Sequence, residues 1–157
     1  MQEIKRFIDQ VIRTARVNLE QDGHLQPVFL ILSDLGVVPV AAEFSNEAEK
    51  EKIASEIRVL ARQTSADYIV FISEAWVLMD PQAAEDYIQG RYQSVSAHPQ
   101  RKEAINVTVE SHAGHQMGCA MIETQAGKKT FGEIQWGPVG GTVQGRFSHL
   151  LGPKVVH

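Results

Sequence analysis

The segment of residues 67–79 restricts the fold of this chain more than any other part of its sequence. It is the most apolar stretch, with the run Tyr-Ile-Val-Phe-Ile followed by Ser73-Glu74 and a second apolar run. It is well short of the roughly 18 apolar residues that a membrane-spanning helix needs. A short apolar run bounded by polar residues is typical of a covered strand. We therefore expect residues 67–79 to form the central strand of a sheet.

A helix and a β-hairpin are predicted ahead of this strand. Apolar residues recur at helical spacing over residues 4–19, and Gly23 suits the left-handed position that ends a helix. Two apolar stretches, residues 28–32 and 37–42, flank a Ser-Asp-Leu-Gly turn and predict the hairpin. The first stretch is apolar throughout, so both of its faces should be covered. Pro39 cannot donate a ladder hydrogen bond, so the second strand should lie at a sheet edge.

A second helix is predicted between the hairpin and the central strand. Asn46 and Glu49 have the spacing of a capping box, and the apolar stripe of this helix ends near Ser65. Because a strand, a helix and a strand in succession imply a crossover, the central strand should run parallel to the second hairpin strand. The first hairpin strand then lies between these two strands and is antiparallel to both.

The second half of the chain predicts a short helix over residues 80–88, a polar loop over residues 90–101 and a β-meander. The meander strands are residues 104–110, 117–124 and 131–136. The predicted fold class is therefore α+β, with a mixed, mostly antiparallel sheet of about six strands and two main helices on one face. The 157 residues fit a single domain over residues 1–136, followed by a glycine-rich tail over residues 137–157 that packs on the body or on a partner.

The other face of the predicted sheet is polar. Strict alternation over residues 104–110 turns Ile105, Val107 and Val109 inward and leaves Asn106, Thr108 and Glu110 on the opposite side. This side needs cover from the long loop, the tail or a second chain, so we expect a homodimer.

Composition limits the cellular setting and the partners. The net charge of −4 argues against nucleic acid as a main partner, because nucleic-acid-binding proteins usually carry a basic face. The single cysteine, Cys119, excludes an intramolecular disulfide and is expected to be a small buried apolar residue. Residues 1–6 are charged and lack the apolar core of a signal peptide. We expect a cytoplasmic protein whose partner is a protein or a small molecule, not a membrane.

Glu74 is the residue that folding alone explains least. It lies within the predicted central strand, where a carboxylate needs a cation or hydrogen-bond donors. One interpretation is a ligand anchor or a poised acid or base. The alternative is a strand residue that points into a wet groove or pairs with a neighbouring arginine.

The segment His98-Pro99-Gln100-Arg101-Lys102-Glu103 precedes the first meander strand and supplies candidate partners for Glu74. Glu74 with Arg101 would be a bidentate ion pair, and Glu74 with His98 would be an acid–base pair. The candidate ligand-binding residues are Glu74, Trp76, Tyr92, His98, Arg101 and Glu103.

Metal and cofactor motifs give no support for a catalytic centre, and we assign no catalytic residue, metal or cofactor. His112 and His115 flank a turn without the third ligand that zinc needs. The glycine-rich residues 137–145 lack the Gly-Lys-Ser/Thr of a phosphate loop and do not follow the first strand of a βαβ unit.

The string Glu74-Ala75-Trp76, followed by His98-Pro99, Arg101 and Glu103, resembles a pattern of small uncharacterised bacterial proteins and phage or mobile-element proteins. The resemblance covers roughly residues 22–136. It implies a compact α+β fold and no known activity, so no functional residue is transferred. The tail from Gly137 falls outside it.

Three functions are compatible with these patterns. We favour a non-enzymatic binding or accessory module that holds a small ligand or protein in a groove near Glu74 and Arg101. One alternative is a hydrolase-type enzyme that uses Glu74 with His98 or Arg101. The other is a structural or assembly protein that self-associates through its sheet face or tail.

Overall fold

The chain folds into helices packed on an antiparallel sheet, and the computed structural model describes residues 2–78, 80–93, 95–137, 142–143 and 150–151. In this part of the chain the helices are α1 (Gln2–Asp22), α2 (Glu47–Thr64) and α3 (Pro81–Ile88), with a 3-10 turn at Val95–Ala97. The strands are β1 (Val28–Ser33), β2 (Gly36–Ala41), β3 (Tyr68–Leu78), β4 (Lys102–Ser111), β5 (Gly114–Gln125), β6 (Lys128–Phe131), β7 (Gln135–Trp136) and β8 (Thr142–Val143). The predicted α+β class is confirmed.

The helix ends lie where local signals predict them. Gly23 has a φ of 76° and donates its N–H to Leu19 O at 2.9 Å, which closes α1. The Asn46 side chain accepts a hydrogen bond from the Glu49 N–H at 2.8 Å and caps α2. Ser65 adopts the left-handed conformation at the other end of α2. These signals act over three to five residues, so tertiary context does not alter them.

The sheet has the strand order β2-β1-β3-β4-β5-β6, and each of these neighbouring pairs is antiparallel. β1 lies between β2 and β3, so β3 runs in the same direction as β2, as predicted. Pro39 lies in the edge strand β2 opposite Leu30, where its missing N–H matters least.

The two long helices lie on opposite faces of the sheet, which corrects the prediction of one face. Val70 and Ile72 pack with α1, whereas Ile69 and Phe71 pack with α2. Successive residues of a strand point to opposite faces. Because β1 and this half of β3 are apolar at almost every position, each face needs its own helix. The apolar run in β1 already implied this arrangement.

The polar side of β4 is buried. Asn106, Thr108 and Glu110 are 1%, 6% and 6% exposed. They share the α2 face, since their partners across the ladder are Ser73, Phe71 and Ile69. The alternation was therefore predicted correctly, because Ile105, Val107 and Val109 pack with α1. Alternation indicates which face of the sheet a residue occupies, but it does not indicate whether that face is exposed to solvent.

The last predicted strand, residues 131–136, is two short strands. β6 pairs with residues 122–125 of β5, and β7 pairs with Gly118 and Cys119 of the same strand. Between them Ile134 leaves the ladder and is buried in the core beneath α1. The requirement to bury Ile134 interrupts the strand.

The described residues of the predicted tail contact the body at three places, the first of which is the Gly137 N–H, which donates to the Met117 carbonyl at 3.1 Å. β8 pairs with Val77 and Leu78, and the N–H groups of Leu150 and Leu151 donate to the Glu110 carboxylate. Most of the predicted tail, residues 137–157, lies outside the described residues. Among the helices described, none has the length and apolar character needed to cross a membrane.

Candidate functional site

The described strands leave a gap in the pairing beside the middle of β3. On one edge, β3 pairs with β4 over its whole length from Tyr68 to Val77. On the other edge, β1 pairs with β3 only as far as Ile72, and β8 pairs only from Val77 onward. No strand of the described chain pairs with residues 73–76 on this second edge. Within the described residues, a stretch of four residues of β3 is therefore paired on one edge only.

The sequence ahead of β1 explains where the pairing stops. In the β1–β3 register the next position is Pro27 opposite Ser73, and proline has no N–H to continue the ladder. The Pro27 carbonyl accepts instead from the Ala42 N–H at 3.0 Å. The Leu25 N–H, two residues earlier, donates to the Glu74 side chain at 2.9 Å. The chain thus leaves the edge of β3 at Pro27.

A cavity of about 570 Å³ lies beside this stretch of β3. It is lined by Pro27, residues 43–45, Phe71 and residues 73–76, and we call it the β3 groove. Four consecutive residues of one strand line it, although their side chains alternate between the two faces of the sheet. The groove therefore follows residues 73–76 of β3.

The walls of the β3 groove differ between the two faces of the sheet. Glu74 and Trp76 lie on the α1 face, opposite Ile105 and Glu103 of β4. Ser73 lies on the α2 face with Phe71, and Phe44 packs against the α2 core. Glu43 and Ser45 complete the lining. The described lining contains two carboxylates and no Lys or Arg.

Glu74 has neither of its predicted partners. Its Oε1 accepts from the Leu25 N–H at 2.9 Å, and it forms no ion pair with Arg101 and no bond with His98. The register explains the difference, because Glu74 lies opposite Ile105 and Lys102 lies opposite Val77. Arg101 precedes Lys102 and is level with Leu78, about 13 Å further along the strand. The sequence spacing was compatible with contact, but the register is not.

Arg101 contacts Trp76 instead. Its guanidinium carbon lies 4.8 Å from the centre of the Trp76 ring, and its Nη1 donates to the His98 carbonyl at 3.3 Å. Trp76 is partly buried, and a cation over such an indole contributes about 0.5–2 kcal/mol. Arg101 therefore stabilises the position of Trp76 and offsets part of the negative charge of the groove.

His98 and Tyr92 form a separate cluster against α3. His98 is 2% exposed, and its ring centre lies 4.4 Å from that of Tyr92. His98 Nδ1 accepts the Gln100 N–H at 3.0 Å, so the neutral ring carries its proton on Nε2. Nε2 lies 3.6 Å from Asp86 Oδ2. Asp86 also accepts from Arg91 at 2.7 Å. This cluster holds the long loop on α3.

The pKa of Asp86 is lowered, chiefly by the hydrogen bond from Gln82, with further contributions from Arg91 and His98. Glu103 has a separate partner, since its Oε2 lies 3.4 Å from Lys129 Nζ. An exposed pair of this kind contributes about 0–1 kcal/mol.

Of the predicted site residues, the structure brings Glu74 and Trp76 together in the groove and places Arg101 against Trp76. Tyr92, His98 and Glu103 do not line it. Sequence reasoning missed Pro27 and residues 43–45, which lie more than 25 positions before Glu74. A proline immediately before an apolar strand was the available signal, since it marks where a ladder stops.

Other reactive groups in the described part of the chain serve the fold. No three His, Cys, Asp or Glu side chains there gather closely enough to hold a metal ion. His112 Nε2 lies 3.1 Å from the Ala66 carbonyl. Cys119 is buried, as predicted, and burial raises the pKa of its thiol.

The fold and the groove define a class: an α+β protein with an antiparallel sheet and a cavity beside its central strand. Residues 1–136 match the family model described as Bacteriophage lambda protein ea47, so the chain belongs to this family. The predicted resemblance to phage proteins of unknown activity is thereby confirmed at the level of the family. No curated protein matches the chain, and no solved structure does.

Proposed function

We propose that this protein is a non-enzymatic binding module that holds its partner in the β3 groove. The observation that carries the proposal is the cavity of about 570 Å³ at the interruption of the sheet. Its volume is in the range of ligand pockets, about 300–1,000 Å³. A sheet with a cavity beside its central strand offers a partner the side chains that line this cavity.

The chemistry of the lining supports a cationic partner with apolar neighbours. Glu43 and Glu74 are carboxylates, and Arg101 on the Trp76 ring offsets only one of their two charges. Phe44, Phe71 and Trp76 supply aromatic surface, which attracts cations and apolar groups. A guanidinium or ammonium group satisfies these walls better than an anion does.

The position of Glu74 supports binding more than acid–base catalysis. One of its oxygens is held by the Leu25 N–H, and its predicted catalytic partner, His98, is bound to Gln100 and packed on Tyr92. A fixed carboxylate whose second oxygen has no hydrogen-bond partner among the described residues is suited to orient a cation. Self-association as a homodimer stays a prediction from the sequence.

The test uses a small cationic probe, the N-acetyl methylamide of arginine. We expect two-dimensional amide NMR spectra to shift at residues 43–45 and 73–76 on titration. Changing both Glu43→Gln and Glu74→Gln should weaken this binding by roughly tenfold, because two charge-assisted contacts become neutral ones. Glutamine keeps an oxygen that accepts from the Leu25 N–H.

The matched control is Glu123→Gln on the exposed part of β5, outside the groove. It removes one negative charge without changing the groove, so the affinity for the probe should stay the same. Shifts scattered over the whole surface, or equal affinity in the double variant and the wild type, would refute the proposal.

A further inference from the structure

We infer that two copies of this protein associate through an uncharged face that β1, β2 and one flank of α1 form on the α1 side of the sheet. The inference is independent of the function proposed above. We call this surface the uncharged face, and its residues are Phe7, Val11, Thr14 and Asn18 of α1, Val28, Leu30 and Leu32 of β1, and Val37, Pro39 and Ala41 of β2.

The α1 side of the sheet is covered unevenly. On β3 and β4, Ile72 and Ile105 are 1% and 0% exposed beneath α1. The β1 residues of this side are half-buried, and all three β2 residues of the uncharged face are exposed, with Val37 at 45%. On the other side of the same hairpin, α2 buries Phe29 completely. Helix α1 therefore leaves an apolar strip of the sheet exposed along β1 and β2.

One flank of α1 borders this strip. The other flank is turned towards the far edge of the sheet, where Arg16 donates to a β6 carbonyl and Glu20 accepts from a β6 hydroxyl. Each residue turns an α-helix by about 100°. The flank towards β1 is therefore the stripe Phe7, Val11, Thr14 and Asn18. Its two apolar members pack against the same core as the β1 residues of the uncharged face, so helix flank and sheet strip form one surface.

The absence of charge from this face favours a second copy as its partner. The stripe at the same spacing on the other flank of α1 is charged throughout, as Asp9, Arg13, Arg16 and Glu20. Two copies with a net charge of −4 repel each other, and a two-fold axis brings the same patch of both copies together. An uncharged patch avoids placing like charges opposite each other, and interface cores are depleted of charge.

The size of the uncharged face is close to the lower limit for a specific dimer. Two neighbouring strands and the helix flank beside them measure about 20 Å by 20 Å. This outline of about 400 Å², before the relief of the side chains is counted, is near the roughly 500 Å² per partner that a specific interface needs. The dimer should therefore dissociate on dilution.

The backbone of β2 disfavours the other way in which two copies could join, edge to edge. The Ala42 N–H bonds to the Pro27 carbonyl, and hydrogen-bonded pairs alternate along an antiparallel ladder. The pair of Pro39 and Leu30 is therefore a non-bonded one, so the Pro39 nitrogen faces the outer edge of β2. A strand added there would lack a donor at its centre. Two copies should therefore meet face to face.

The test is sedimentation equilibrium of the full chain from micromolar to near-millimolar concentrations, with Val37→Glu and Val59→Glu as matched variants. The two valines are 45% and 43% exposed, and each variant adds one negative charge. Val59 lies on α2, on the other side of the sheet. We expect a reversible wild-type dimer that Val37→Glu weakens by at least roughly tenfold, because a charge from each copy loses its water in the interface. Val59→Glu should leave the dimer unchanged.

Asn18→Lys tests the helix flank separately. It makes the net charge of the chain less negative, so general repulsion between copies should fall. The dimer should nevertheless weaken, because the new charge lies within the interface. Asp9→Asn changes the net charge by the same amount on the opposite flank and should not weaken it.

Urea unfolding and amide NMR spectra show whether each variant keeps the fold. A wild-type protein that is monomeric at every concentration would overturn the inference and leave a different protein as the occupant of the face. Equal weakening by Val37→Glu and Val59→Glu would overturn it as well. A dimer that neither Val37→Glu nor Asn18→Lys weakens would show that the copies meet through another surface.

Discussion

At the scale of single residues, the polar side of β4 lowers the stability of the fold. The Asn106 side-chain nitrogen and oxygen and the Thr108 hydroxyl are buried and have no hydrogen-bond partner among the described residues. An unsatisfied buried group of this kind costs about 1–3 kcal/mol. These positions alternate as a solvent-facing row would, which is why the sequence did not reveal that they are buried.

Thr108→Val is expected to stabilise the protein. Valine keeps the branched shape that suits a strand and removes the unpartnered hydroxyl, so the free energy of unfolding should rise by about 1 kcal/mol. Urea unfolding near neutral pH measures the change. The matched control is Thr130→Val. The Thr130 hydroxyl donates to Glu20 at 2.7 Å, so its removal should not raise the free energy of unfolding. A destabilised Thr108→Val variant would show that this hydroxyl has a partner.

Asp86 predicts a pH dependence of stability in acid. Its pKa is lowered from the ordinary value of 3.8, first by the Gln82 hydrogen bond. A carboxyl group with a lowered folded pKa contributes stability that is complete above its unfolded pKa and is lost as pH falls through the folded pKa. The difference in unfolding free energy between wild type and Asp86→Asn should therefore be constant above about pH 4 and shrink below it.

NMR titration of the Asp86 carboxyl provides the direct measurement. Gln82→Ala removes the largest cause of the shift, so it should raise the pKa of Asp86 towards 3.8. An unchanged titration curve in Gln82→Ala would contradict this assignment.

At the scale of elements, the helix ends and strands were predictable and their arrangement in space was less so. The signals at Gly23, Asn46 and Ser65 act locally, and the structure confirms each of them. The face that each helix covers depends on the apolar pattern of two strands considered together. Similarly, Glu74 was identified because it interrupts an apolar strand, but its contact with Leu25 depends on how the chain leaves α1.

The docking of β7 on β5 depends on one glycine. A Cβ at Gly118 would collide with the Ile134 side chain and would lie 2.9 Å from the Trp136 ring. Gly118→Ala should therefore displace β7 and destabilise the protein by about 1–3 kcal/mol. Urea unfolding and the fluorescence of Trp136 measure both effects.

Gly132→Ala is the matched control for this change. A Cβ at Gly132 meets nothing within 4 Å, and its φ lies outside the left-handed region. Its stability should stay near that of the wild type. Equal destabilisation by the two substitutions would show that glycine flexibility, and not the close approach of Ile134, matters here.

At the scale of the whole molecule, the sequence did not indicate which body residue contacts the C-terminal part. Leu150 lies in the α2 core, 40 positions from the carboxylate that binds its N–H. Glu110 appeared as one polar residue in an alternating strand, and nothing local marked it as an acceptor for distant amides. Long-range contacts of this kind depend on register and path, which are not encoded in a short window of sequence.

Glu110 anchors Leu150 and Leu151 to the body of the protein. Its Oε2 accepts from both of their N–H groups, at 2.8 and 2.7 Å, and Oε1 accepts from Leu150 at 2.9 Å. Hydrogen bonds to a charged group are worth about 1.5–3 kcal/mol, so Glu110→Ala should lower the free energy of unfolding by at least that amount. The amides of Leu150 and Leu151 should also exchange with solvent faster.

Glu110→Gln distinguishes the hydrogen bonds of the Glu110 carboxylate from the packing of its side chain. It fills the same space and keeps one accepting oxygen, so exchange at Leu150 and Leu151 should lie between the wild type and Glu110→Ala. Glu123→Ala, on the exposed end of β5, removes a carboxylate without touching these amides and should leave their exchange unchanged. If Glu110→Ala lowers stability but leaves exchange at both leucines slow, packing around this side chain holds the segment and the carboxylate does not.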